Sequence, residues 1–365
     1  MKDNVTHSQV VMLCANVILT VSLIHFPLSQ VIIAGGNSWL VFFFLVPFIV
    51  LLTIVSFMGL SKISMWDVLS KKNGKNLRTE KILALLFVLF VSILLLHDLQ
   101  AFVDSMQVAL LPKTPLTVTT LITILVLIYV ARLGLGSIAN FNELIFPALL
   151  FSMLLAPILL LNKMDLTNVV PIINVGTFPS LLQAVFNALP WATETIILLA
   201  LLGQMTPLKN IKIAIISGTM LGLFLLYLII FSELAIFGED LMKNQSHPTI
   251  SMDREMKITN SIDRLGLVLF FFWIPTVFSK MSLEVYVLYR CFNVMLNIKK
   301  SKSMTFLAPI GIGILKLILF KNVMTYNYFY LKNNNLGGSI MLVLEIFIVF
   351  FFIMAVRMKK RTNNY

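Results

Sequence analysis

VVMLCANVILTVSLIHFPLSQVII, residues 10–33, decides the fold class. No Asp, Glu, Lys or Arg interrupts it, and as a helix it is long enough to cross the hydrocarbon core of a bilayer, which takes about 20 apolar residues. Nine more apolar runs follow, at 38–58, 82–110, 115–131, 139–161, 181–203, 212–234, 265–290, 304–320 and 338–356. The run at 82–110 exceeds a straight crossing and implies tilt or projection past the membrane surface, and 304–320 carries the weakest signal. Across its 365 residues the chain is 59% hydrophobic, with a mean hydropathy of +0.94 and 12% charged residues, against about 25% charged in soluble domains. A water-soluble fold could not hide 29 Phe without exposing large apolar patches. The sequence predicts an all-α polytopic membrane protein with ten transmembrane helices, forming a single transmembrane domain over 1–365. The N-terminus, starting Met1-Lys2-Asp3-Asn4, shows no small-x-small cleavage site before the next hydrophobic run, so the first run is read as a retained span.

The charge distribution supports the even count. With both ends on one side, the segments on that side hold 18 basic residues, among them Lys71, Lys72, Arg132, Arg290, Lys299, Arg357 and Arg361, against eight on the other. That asymmetry puts both termini in the cytoplasm. The net charge of +12 comes in short inter-span segments, not on a folded basic face, so nucleic acid is not an expected partner. The basic turn at 59–81 is read as a contact with lipid headgroups. The outer segment 235–264, mixed in charge, is expected to form a short surface helix or a lid. Cys14 and Cys291 both lie in or beside apolar runs, which argues against a disulfide scaffold.

Polar residues inside the spans point to a site. Seven of the 13 prolines fall in candidate spans, and each removes a backbone donor and frees a carbonyl one turn back. Any of them can be a plain kink. Two have sharper surroundings: Thr20-Val21-Ser22-Leu23-Ile24-His25-Phe26-Pro27 in span 1 and Asn187-Ala188-Leu189-Pro190-Trp191-Ala192-Thr193-Glu194 in span 6. Half-helix ends at mid-membrane are a way that secondary transporters hold small charged solutes, and the spacing puts Asn187, Trp191 and Glu194 on one helical face.

Ionisable groups in hydrocarbon cost several kcal/mol and so face partners or cavities. His25, His97, Asp98, Asp104, Glu143, Glu194, Lys280, Glu284, Lys316 and Glu345 lie within the runs. Lys280 and Glu284, spaced i,i+4, are expected to satisfy each other. Glu143, Lys316 and Asp104 are read as interfacial. Asp98 and Glu194, with no in-register cation, are expected to line a polar cavity or to make a structural hydrogen bond. No G-x-x-x-x-G-K-[ST] loop, H-E-x-x-H pair or zinc set is present, so the chain is not read as an enzyme or an ATP-driven pump, and no cofactor or metal is expected.

Several short motifs in order resemble the B subunit of endospore germinant receptors. They are Val5-Thr6-His7-Ser8-Gln9, Phe26-Pro27, Ala34-Gly35-Gly36-Asn37-Ser38-Trp39, Ala131-Arg132-Leu133-Gly134-Leu135, Ala139-Asn140-Phe141-Asn142-Glu143 with Phe146-Pro147, and Asp263-Arg264-Leu265 leading to Trp273. The resemblance covers nearly the whole chain. It implies the fold of the amino acid–polyamine–organocation transporters, two inverted five-span repeats at about 10–161 and 181–356, with breaks in spans 1 and 6. In such folds spans 1, 3, 6 and 8 line the solute pocket, which nominates Thr20, Ser22, His25, Asp98, Asn187, Trp191, Glu194 and Thr276 as ligand-binding residues. The stretch from Thr20 to Pro27 has no glycine, unlike the first break of the transporters, which argues against carboxylate binding by unwound backbone there. The implied function is sensing of a nutrient germinant in the inner membrane of a spore, beside an A subunit and a lipoprotein C subunit. Two other readings stay open: a proton-coupled amino acid or cation transporter, and a structural membrane subunit with a degenerate site.

Overall fold

The computed structural model describes residues 5–56, 78–170, 176–201, 211–256, 265–296, 304–320, 323–330 and 335–362. The basic turn expected at 59–81 and the Asp263-Arg264 motif fall largely or wholly outside these residues. Every long element is helical: α1 (His7–Ala34), α2 (Val41–Ser56), α3 (Arg78–Ala109), α4 (Leu116–Arg132), α5 (Leu135–Leu159), α6 (Phe178–Ala192), α7 (Ile211–Lys243), α8 (Pro248–Arg254), α9 (Leu265–Met295), α10 (Met304–Leu319), α11 (Val323–Tyr330) and α12 (Leu336–Thr362). Ten of these coincide with the ten predicted spans. The extra two are α8, a short helix within the outer segment 235–264 whose Pro248, Thr249, Ile250 and Met252 are buried, and α11, which lies in a segment expected to be a connection. Six helical stretches, with α1 and α2 run together as His7–Ser56, are long and apolar enough to cross a membrane, and α4 and α10 are shorter apolar helices.

The bundle turns large apolar side chains outward. Phe43, Leu121, Leu125, Leu144, Phe151, Phe186 and Phe271 are exposed, as expected where hydrocarbon is the solvent and helices satisfy their own backbone groups. Polar side chains go inward instead, and Asn16, Thr20, Gln30, Asp98, Asn142, Thr276, Lys280 and Lys316 are buried. Cys14 and Cys291 are buried and free.

Helix α1 is the central post, packed on α7 most extensively and also on α5, α6 and α9. Its approach to α7 depends on Gly218 and Gly222. A Cβ on Gly218 would overlap the carbonyl of Val11, and one on Gly222 would come within 2.8 Å of the carbonyl of Ala15. Small residues four apart let two backbones meet in this way. The beginning of the chain is pinned as well. Thr6 and Gln9 form a capping box, and Gln9 Nε2 donates to Asn140 and to Glu143, each at 2.7 Å. Two of the short motifs quoted above therefore bind each other. At the other end of α1, Gly35 takes φ +58°, and the Glu239 carboxylate of α7 accepts from the N–H of Gly36 at 2.7 Å.

Candidate solute site

Pro27 leaves α1 helical. The helix runs unbroken from His7 to Ala34, and the interruption expected in span 1 amounts to one missing backbone hydrogen bond. Pro27 has no N–H to offer the carbonyl of Leu23. The Thr249 hydroxyl of α8 fills the gap, 2.5 Å from that carbonyl oxygen and 2.6 Å from Glu233 Oε1 of α7. With no glycine between Thr20 and Pro27, the chain keeps the α conformation and satisfies the defect from outside.

Span 6 does change form. Helix α6 ends at Ala192, and Glu194–Leu201 continues as a 3-10 helix. Pro190 removes a bond near the end of α6, and the β-branched run Thr195-Ile196-Ile197 weakens the α preference beyond it. The altered pitch carries Glu194 into the bundle.

There it meets Lys280 of α9. The ammonium lies 2.6 Å from Glu194 Oε2 and 2.8 Å from Asp98 Oδ2 of α3, and all three side chains are at most 1% exposed. Two expectations are corrected. Lys280 does not simply pair with Glu284 along its own helix, and Asp98 and Glu194 do have a cation, one supplied from across the bundle. Glu284, a turn further along α9, also lies against Asp98 and Lys280. Glu345 Oε2 of α12 is 2.5 Å from the Thr193 hydroxyl, the residue before Glu194. The Lys280 ammonium thus faces three carboxyl groups, with a fourth, Glu345, held one residue away from Glu194.

His97 joins this cluster to a cavity. Its Nδ1 is 2.9 Å from Asp98 Oδ1, and its ring packs on Trp191 with centroids 4.2 Å apart. His97, Trp191, Ser22, His25, Val21, Phe26 and Ser29 line a cavity of about 10 Å³, room for about one water molecule. Tyr326 and Tyr330 of α11 pack against three of the rings that line it. Tyr326 lies 5.0 Å from the His25 ring and 5.6 Å from that of His97, while Tyr330 is 4.8 Å from His97 and 5.9 Å from Trp191. A second cavity of similar size, about 10 Å³, is lined by Thr53, Ser56, Thr193 and Thr195 with apolar neighbours.

The eight nominated residues fall into three places. Ser22, His25 and Trp191 line the first cavity, and Asp98 and Glu194 hold Lys280 beside it. Thr20 and Thr276 belong to a separate seam between α1 and α9: Asn16 Nδ2 donates to the Thr276 carbonyl at 3.0 Å, and Trp273 Nε1 donates to the Thr20 carbonyl at 2.6 Å. Asn187 is half-buried, and its carbonyl accepts from Asn335. Sequence reasoning did not nominate Lys280, His97, Tyr326, Tyr330 or Glu345. The interfacial expectation for Asp104 and Lys316 is also corrected. Both are buried, Asp104 beside His247 at 3.2 Å and Lys316 donating to the Thr120 hydroxyl at 3.1 Å. Among the described residues no group of three or more His, Cys, Asp or Glu side chains could hold a metal ion.

Comparison with known proteins places this arrangement. A family model described as "Spore germination protein" matches residues 4–322. The putative spore germination protein YfkT of Bacillus subtilis (strain 168) is 30% identical over 208 residues, 57% of this chain; the alignment spans 56% of that relative's length. Spore germination protein KB of the same organism is 24% identical over 288 residues, 76% of this chain and 75% of its own. Among solved structures, the substrate-bound outward-open state of a Na+-coupled sialic acid symporter superposes with a TM-score of 0.57 at 15% identity, covering 94% of this chain and 78% of the symporter. That likeness shows a transporter-like fold.

Proposed function

The chain belongs to the spore germination protein family, and on that premise we propose that it is the integral-membrane B-type subunit of a germinant receptor, sensing a small nutrient solute such as an amino acid. The observation that carries the proposal is a water-sized cavity lined by Ser22, His25, His97 and Trp191, directly beside the buried Lys280–Asp98–Glu194 cluster. A fold that spends charged groups in its interior does so at a cost, and here they adjoin the point where α1, α3 and α6 converge.

The cavity as it stands is too small for an amino acid. Binding therefore selects a second packing in which Tyr326, Tyr330 and Trp191 move apart. A solute shifts that balance only through its higher affinity for the open packing. The ionised groups of an amino acid suit a site that offers both an ammonium and carboxyl groups. The change in packing then reaches an A subunit and a lipoprotein C subunit in the spore inner membrane, with both termini of this chain on the core side.

The test is a germination dose curve for spores carrying Glu194→Gln or Asp98→Asn. At least one of these is expected to shift the nutrient concentration required; unchanged curves for both reject the site. A transporter reading draws support from the fold alone, and robust coupled solute accumulation by proteoliposomes holding only this chain would replace the sensor with it.

A further inference from the structure

Three histidines stand in line between the α8 segment and the Lys280 cluster. His247, just before α8, has Nε2 3.2 Å from Asp104 Oδ2. Its ring centroid is 5.6 Å from that of His25, which is 6.3 Å from that of His97. His97 then contacts Asp98 at 2.9 Å, and Asp98 contacts Lys280 at 2.8 Å. Every member is at least nine-tenths buried.

The line has the composition of a proton wire. His25 Nε2, His247 Nδ1 and the Tyr326 hydroxyl are buried with no hydrogen-bond partner. Buried polar atoms of this kind are normally satisfied by ordered water. The longer gap, between His25 and His97, opens on the cavity that both rings line, which has room for about one water molecule. An imidazole accepts a proton on one nitrogen and releases one from the other, so it passes charge without leaving its place.

We propose that Asp104, His247, His25 and His97 form a proton relay that delivers protons from the α8 side of the bundle to the carboxyl groups around Lys280. A proton taken up at the Asp104–His247 pair passes to His25, through water in the cavity to His97, and across the 2.9 Å contact to Asp98. Each donor is refilled from behind, so one proton enters for every one delivered. The acceptor end has capacity, because Asp98, Glu194 and Glu284 share the ammonium of Lys280. At the entry, Lys316 approaches Asp104 from α10 and Glu233 meets Thr249 from α7. Tyr326 and Tyr330 cover the middle of the line. The relay needs no nutrient, so its failure would leave the germinant reading to be judged by its own dose curve.

The test follows the infrared absorption of protonated carboxyl groups in the full chain, reconstituted in lipid and stepped from mildly alkaline to mildly acidic buffer. The expected result is a buried-carboxyl band that loses amplitude in Glu194→Gln or Glu284→Gln. Its rise should slow at least about tenfold in His25→Phe and in His247→Phe, while the final amplitude is kept. His7→Phe, at the exposed start of α1, should keep the parent rate. If His25→Phe does not yield folded protein, His25→Leu provides the same comparison. A rise as fast as the parent's in the His25 variant, or no pH-driven buried-carboxyl band at all, overturns the relay.

Discussion

Replacing Lys280 by Met isolates what the buried charges contribute. At an effective dielectric of about 20, each contact of 2.6–2.8 Å is an attraction of about 6 kcal/mol. Against it stands the loss of hydration, several kcal/mol for each ion. The intact cluster is therefore close to balanced, but removing the lysine deletes the attraction and leaves Asp98 and Glu194 dehydrated and facing each other. The expected cost is about 3–5 kcal/mol. In detergent, at a fixed heating rate, the apparent melting temperature should fall by roughly 4–7 °C, measured by fluorescence-detected size exclusion. The triple variant Lys280→Met, Asp98→Asn, Glu194→Gln removes the stranded charges and should recover at least half of the loss. A Lys280→Met protein as stable as its parent, or a triple variant melting no higher than the single one, would refute the reasoning.

Three further outcomes are expected. Gly218→Val should separate α1 from α7 and cost about 1–3 kcal/mol, because its added atoms meet the Val11 carbonyl; the same melting assay reads it. Thr249→Val should cost about 1–3 kcal/mol by orphaning the Leu23 carbonyl, and much less in a Pro27→Ala background, where the backbone N–H returns; a double-mutant cycle gives the coupling. Burial pushes the Asp253 carboxyl up to about 8. The docked α8 segment therefore binds more protons than the undocked one between the ordinary carboxylate range and about pH 8, so docking should weaken as pH rises through that window and level off above it. Thiol labelling of an α8 cysteine variant across pH checks this, and Asp253→Asn should flatten the dependence.

Hydropathy made the ten spans legible, because a crossing helix must be continuously apolar whatever it packs against. The change of form in span 6 was legible too, since Pro190 and the polar residues around it are local signals. The pairing of Lys280 was not. Spacing along α9 offers Glu284 as its partner, whereas the partners it takes, Asp98 and Glu194, come from α3 and the 3-10 segment and become neighbours only in the packed bundle. Span 1 misled in another way: Pro27 is visible in sequence, but the Thr249 hydroxyl that satisfies the carbonyl it frees lies 226 residues beyond Leu23. The contacts of Tyr326 and Tyr330 were hidden because Val323–Tyr330 is short and rich in polar aromatics and so reads as a connection between spans. Its role appears only from the rings it meets.

The central claim is that the cavity beside the Lys280 cluster opens for a nutrient solute. The direct measurement uses Ser22→Cys in a chain whose buried Cys14 and Cys291 are replaced by Ala, assembled in spore membranes and exposed to a water-soluble thiol reagent. Mixtures of amino acids, sugars, nucleosides and salts are compared with buffer alone. The account predicts slow labelling in buffer and a changed rate with at least one nutrient class that triggers germination. Equal rates with and without every germination-triggering mixture would contradict it.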